Sequence, residues 1–218
     1  RMYKTHALVV IDKSGSMDHL AGDVCGGFNS FVRECREDTD NTGAQYTITV
    51  VLFDTQTSVF VSNASPADVP ELTTSNYCPR GGTALNDAVM TALTDFEKKH
   101  GDLGDDERAI LVINTDGDEN SSAEFSRFNG GTSRVRDRLA RLQEDPKWSV
   151  MFMGTGPDAW NAGDAYGAQT ISLDASGAGT RSGYRAAAVA ATGRSRGATA
   201  DETLRAAKTT AAAEQQQP

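Results

Sequence analysis

Cysteine is scarce in this chain: Cys25, Cys35 and Cys78 are odd in number and widely spaced among 218 residues, with no C-x-x-C anywhere. That excludes a disulfide framework and the common zinc-ribbon pattern. Long apolar runs are missing as well. No stretch of about 18 uninterrupted apolar residues occurs, which excludes a membrane-spanning helix within the sequence. Basic charge is short, with 21 Lys and Arg against 30 Asp and Glu. This balance argues against nucleic-acid binding, which demands a clustered basic face. No G-x-x-x-x-G-K-[ST] loop and no G-x-G-x-x-G fingerprint is present, so the common nucleotide-binding signatures are excluded too. The sequence opens at Arg1 instead of a methionine, and nothing about a leader follows from that. The sparse cysteines favour a reducing, cytoplasmic setting.

What is there suffices for one domain with a sizeable core, because 38% of the residues are hydrophobic. The net charge of −9 is unevenly spread. Residues 1–174 carry 15 Lys and Arg against 27 Asp and Glu, a net of −12, whereas residues 175–218 carry 6 against 3, a net of +3. An acidic body suits a cation site, a basic partner or a surface kept soluble by charge.

Residues 6–11 (HALVVI) form a short, β-branched apolar run that stops at Asp12, the pattern of a buried strand ending in a polar turn. From about Leu20 to Arg36, Phe28, Phe31, Val32 and Cys35 recur at helical spacing, with Cys25 and Cys35 on roughly one face. Residues 46–53 and 57–61 read as strands joined by a hairpin-length connection. A second amphipathic helix spans about 84–99, a buried strand 108–114, a helix about 132–143, a fifth strand 148–153 and a short sixth 169–173. Gly154-Thr155-Gly156-Pro157 punctuates the end of the fifth. Strands alternating with helices over short crossovers predict a Rossmann-like α/β fold. Its doubly wound, mostly parallel six-stranded sheet would have one antiparallel edge strand, from the hairpin, and helices on both faces. Beyond residue 174, 14 of 44 residues are Ala, and only Val189 and Leu204 are larger aliphatics. One helix around 184–191 and a flexible Ala/Gly/Gln-rich tail over 193–218 are expected there.

In an open parallel sheet, ligands bind beyond the carboxyl ends of the strands. Three polar segments fall there: Asp12-Lys13-Ser14-Gly15-Ser16-Met17, Gly81-Gly82-Thr83 and Thr115-Asp116-Gly117-Asp118-Glu119-Asn120. Their donors are oxygens, from the carboxylates Asp12 and Asp116 and the hydroxyls Ser14, Ser16 and Thr83. Such donors suit Mg²⁺ or Mn²⁺, with Ca²⁺ a poorer match, whereas zinc prefers His or Cys. Gly15 lets the first loop bend, and Gly81 and Gly82 let Thr83 approach closely.

Motif and strand order together resemble the von Willebrand factor type A domain with its metal ion-dependent adhesion site, over about residues 5–192. The family's D-x-S-x-S stands here as DKSGS, its separate Thr in GGTAL, and its later Asp opens DGDEN. The resemblance implies Ser14, Ser16 and Thr83 as metal ligands, with Asp12 and Asp116 binding directly or through water. It also implies a non-enzymatic docking module: a partner protein's Asp or Glu completes the metal's coordination. The form DKSGSM before a long helix looks more like the bacterial intracellular members, which serve larger assemblies. The enzymatic alternative is a Mg²⁺-dependent phosphohydrolase with Asp12 as nucleophile, but Ser14 stands where a second acid is wanted. Among the neighbours, His19 is a candidate for orienting a partner acid and Lys13 for contacting one. Asp118 and Glu119 either tune the site or belong to a solvated loop. Asn63-Ala64-Ser65 and Asn120-Ser121-Ser122 match the glycosylation pattern without further support.

Overall fold

The computed structural model describes residues 1–117 and 119–216, with backbone alone at 157, 158 and 160. Its elements in chain order are β1 Lys4–Asp12, α1 Ala21–Thr42, β2 Tyr46–Phe53, β3 Thr57–Ala64, α2 Leu85–His100, β4 Glu107–Thr115, α3 Gly131–Glu144, β5 Trp148–Thr155, α4 Pro157–Ala165, β6 Gln169–Leu173, α5 Gly177–Ser195 and α6 Ala200–Gln215. A 3-10 segment, Gly15–Leu20, joins β1 to α1. The six strands form one sheet in the order β3-β2-β1-β4-β5-β6. Every pairing is parallel except β2 with the edge strand β3. The doubly wound α/β architecture is as expected from the alternation of apolar runs.

Both faces of the sheet are covered, which explains why the central strands read as unbroken apolar runs. Ala7, Val9 and Ile11 of β1 face α1, α5 and α6, packing with Phe28, Phe31 and Tyr184. Leu8 and Val10 point the other way, toward Leu85, Val89 and Phe96 of α2 and Leu139 of α3. Among the described residues no helix is long and apolar enough to cross a membrane.

Four helices differ from expectation. α1 runs on to Thr42 through a polar turn and stops where Gly43 adopts φ 76°, because exposed residues extend a helix without apolar periodicity until a left-handed residue ends it. α4 occupies a segment that reads as punctuation, since proline suits a helix start as well as a turn. The expected flexible tail is corrected: α5 spans 177–195, and α6 fills most of the remainder. α6 starts at a capping box, Thr199 and Glu202 bonding each other's backbone, and buries Thr203, Leu204, Ala207 and Ala211. Alanine is the best helix former and lets α6 pack closely, so a stripe too weak to signal a core still docks.

Candidate metal centre

β1 leads through α1 to β2 on one side of itself, while β4 joins on its other side. Connections leaving to opposite sides open a crevice beyond the carboxyl ends of those two strands. Asp12 and Thr115, the last residues of β1 and β4, meet there, and the Thr115 hydroxyl donates to Asp12 Oδ2 at 2.6 Å. Asp12 Oδ1 accepts the Ser14 N–H at 2.7 Å, and the buried Tyr77 phenol donates to the Asp12 carbonyl at 2.5 Å. Asp12 is 0% exposed. Burial pushes its carboxyl up to about 6, and the nearby Asp116 adds to the rise, against the lowering hydrogen bonds from Ser14 and Thr115.

Hydrogen bonds run outward from this anchor. Ser14 Oγ lies 3.2 Å from Ser16 Oγ, and the Ser16 hydroxyl donates to Asp116 Oδ1 at 2.8 Å. Four of the five candidate residues are thus linked in one chain of contacts, from buried Asp12 to half-buried Asp116. Thr83 arrives through its backbone. Its loop leans on the first one, with Gly15 N–H donating to the Gly81 carbonyl at 3.1 Å and Arg80 N–H to the Lys13 carbonyl at 2.9 Å. Thr83 N–H donates to Asn120 Oδ1 at 2.8 Å. Among the described residues, no hydrogen bond joins the buried Thr83 side chain to the other four. The two glycines before it have separate reasons. Gly81 holds φ 72°, and a Cβ on Gly82 would stand 2.1 Å from Ser121 Oγ.

Glu119 is no part of a solvated loop. It is buried, its Oε2 accepting the Asn86 N–H of α2 and the Ser122 hydroxyl, each at 2.7 Å. Its Oε1 accepts the N–H groups of Ser121 and Ser122 at 3.0 and 2.6 Å. This carboxylate caps the start of α2 from a distant loop, a place that suits negative charge. Asp87 in the same turn accepts N–H groups of Ala123, Glu124 and Phe125. The loop carrying Asp116 is therefore stitched to the helix that follows Thr83. Asp118 lies outside the described residues.

Lys13 turns to Asp54, at 3.6 Å, which Arg80 also approaches at 3.8 Å. His19 is exposed, and its Nδ1 sits 2.9 Å from the Ser16 carbonyl. Sequence reasoning gave Thr115 and Asn120 no role of their own and missed Tyr77. Thr115 carried a usable signal, a hydroxyl at the end of the strand beside β1. Tyr77 carried none, since its loop has no periodicity. The pattern Gly193-Arg194-Ser195-Arg196-Gly197 has the form of a nucleophile elbow. Ser195, however, ends a helix, is 0% exposed and donates to the Thr192 carbonyl at 2.9 Å, so it offers no nucleophile.

Among the described residues no group of three or more His, Cys, Asp or Glu side chains is placed to hold a metal. A cation here would depend on hydroxyl and carboxylate oxygens together, a donor set that suits hard divalent ions. The fit is electrostatic as well, because a cation offsets the cost of an ionised, buried Asp12 beside Asp116.

No protein-family model and no curated protein sequence matches the chain. Solved structures do. A von Willebrand factor type A structure from Catenulispora acidiphila superposes with a TM-score of 0.60 at 18% identity, covering 88% of this chain and 43% of that one. The chain has the von Willebrand factor type A fold. Proximal thread matrix protein 1 from the mussel byssus, with a zinc-occupied MIDAS motif, superposes on this chain at a TM-score of 0.61 and 15% identity, covering 86% of this chain and 48% of that one. The PilB minor pilin from Streptococcus sanguinis does so at 0.60 and 11%, covering 86% and 61%. The chain thus spans less than two thirds of the length of each.

Proposed function

We propose that this type A domain is a metal-dependent protein-interaction module without enzymatic activity. In this reading Ser14, Ser16 and Thr83 hold a divalent cation, Mg²⁺ or Mn²⁺ ahead of Ca²⁺, with Asp12 and Asp116 as direct or water-bridged partners. A cation bound largely by neutral hydroxyls keeps much of its attraction for anions, so it supplies a docking point for an Asp or Glu of a partner protein. The observation that carries the reading is the unbroken line of contacts from Asp12 through Ser14 and Ser16 to Asp116 at the sheet's crevice. The zinc-occupied MIDAS of one neighbour supports a divalent metal on this fold, and the pilin neighbour supports service in an assembly. The free cysteines support a cytoplasmic setting.

Asp12 suits a positioning role better than that of a phosphohydrolase nucleophile, because it is fully buried with both oxygens held by Ser14 and Thr115. Titration with Mg²⁺ or Mn²⁺ should raise the melting temperature by ligand linkage, and Ser14→Ala combined with Asp116→Ala should abolish the rise. A partner captured equally with and without EDTA would sink metal-mediated docking, and phosphoester turnover lost in Asp12→Asn would restore the enzyme.

A further inference from the structure

Away from the metal loops, a cleft of about 560 Å³ opens between α1 and α5, with Glu214 of α6 also lining it. A volume of this size suits a small organic ligand. The floor is kept low by Gly27, Ala178 and Ser182, and Gly27 is obligatory, since a Cβ there would stand 2.7 Å from the Tyr184 ring. Three guanidinium groups, Arg33, Arg181 and Arg185, line the walls. Arg181 pairs with Asp23 and Arg185 with Glu34, one acid each, while Arg33 has no acidic partner among the described residues and donates only to Ser30 Oγ, at 3.0 Å. Each guanidinium carries five donors, so one acid leaves most of them available. Glu34 is committed to Arg185, and Glu214 is the one lining carboxylate without an ion-pair partner among the described residues.

We propose that this cleft is a second ligand site, which takes a small multivalent oxyanion, an organic phosphate or a polycarboxylate, on Arg33, Arg181 and Arg185. Planar guanidinium groups bind phosphate and carboxylate through paired N–H donors, and three of them lining one cleft offer a compact anion several such donors. The site is chemically opposite to the metal centre, where anions bind only through a cation. Arg33 supplies uncommitted charge, the two paired arginines supply spare donors, and Glu214 opposes the ligand from the α6 side.

Calorimetry with pyrophosphate and with citrate tests this, on protein stripped of metal over a chelating resin and in chelator-free buffer so that no metal site contributes, against sodium chloride at matched ionic strength. Sub-millimolar binding of pyrophosphate or of citrate is expected. Arg33→Gln should weaken it about tenfold, and Glu214→Gln should strengthen it severalfold. Neither side chain has an ion pair among the described residues, so neither change should disturb folding. Preference for pyrophosphate would assign a phosphate ligand, and preference for citrate a polycarboxylate. Heat no different from that of sodium chloride, or equal affinities in the wild type and both variants, would overturn the proposal.

Discussion

Asp12 is under tension between stability and use. Its folded carboxyl titrates at about 6 instead of 3.8, mainly because burial disfavours the charge. A raised pKa in the folded state means a contribution to stability that is complete below the unfolded value and lost as pH rises through the folded one. In EDTA the protein should therefore lose stability between pH 4 and pH 7 at this residue. Asp12→Asn keeps the acceptor for Ser14 N–H, and the Thr115 hydroxyl can turn to accept from the new amide. That variant should be more stable than wild type at pH 7.5 without metal, by about 2 to 3 kcal/mol, while its melting temperature no longer responds to Mg²⁺. Urea denaturation with and without metal checks both halves. An Asn variant less stable than wild type in EDTA would show that the carboxylate is favourable where it sits. That Asp12, Ser14, Ser16 and Asp116 share one edge of the sheet was legible in the sequence, because Asp12 ends β1 and the others follow a strand end within a few residues. Thr83 was legible as a motif letter, but its contacts run through backbone, which side-chain patterns do not report.

Elements are joined at this edge by buried acid more than by apolar contact. α2 begins at Leu85 with no side-chain cap of its own, and Glu119 fills that role from 33 residues away. The same carboxylate accepts from the backbone of Ser121 and Ser122, so one residue fixes the start of α2 and the loop bearing Asp116 together. Glu119→Ala should cost about 3 kcal/mol by leaving several buried N–H groups without an acceptor. Glu119→Gln should cost nearly as much, because its amide nitrogen must face N–H donors whichever way it turns. Chemical denaturation measures this, and a Gln variant as stable as wild type would remove the capping role. The opposite end of α2 carries a different sign of pH dependence. Burial lowers the pKa of both His6 and His100, whose rings lie 4.5 Å apart, with Glu107 raising both against it and Lys4 lowering both; Lys99 further lowers His100. A lowered histidine pKa gives stability that is present above 6.5 and lost as pH falls. Replacing His100 with Gln should flatten the decline of stability between pH 7 and pH 5, followed by thermal melts across that range. Composition hid Glu119: an acid in a run of DGDEN reads as solvated until the fold brings a helix start to it.

Across the whole molecule the charge asymmetry acquires a structural purpose. Residues 175–200 contain four arginines and no acid. Three of them, Arg181, Arg185 and Arg196, pair with Asp23, Glu34 and Asp38 of α1, so the basic end of the chain lies against the acidic body. Each exposed pair is worth well under about 1 kcal/mol, which leaves packing to hold the two last helices. α5 presents Tyr184, 1% exposed, to Gly27 and donates its phenol to Asn114 Oδ1 at 2.9 Å. α6 covers α5 and β6 with Leu204, Ala207 and Ala211. The sheet was readable because β-branched runs announce buried strands, whereas α6 was not, because its contacts are alanine methyl groups at close range and carry almost no hydrophobic signal. A flexible tail and a docked helix differ sharply in what truncation does. Removing residues 198–218 from a flexible tail would leave stability unchanged. Removing α6 uncovers the buried faces of α5 and β6 and should cost on the order of 4 kcal/mol, with Leu204→Ala alone costing about 2 should the shortened chain fail to fold. Urea midpoints of the full chain, the truncation and Leu204→Ala decide between the two, and an unchanged midpoint in both variants would return residues 198–218 to the status of a tail.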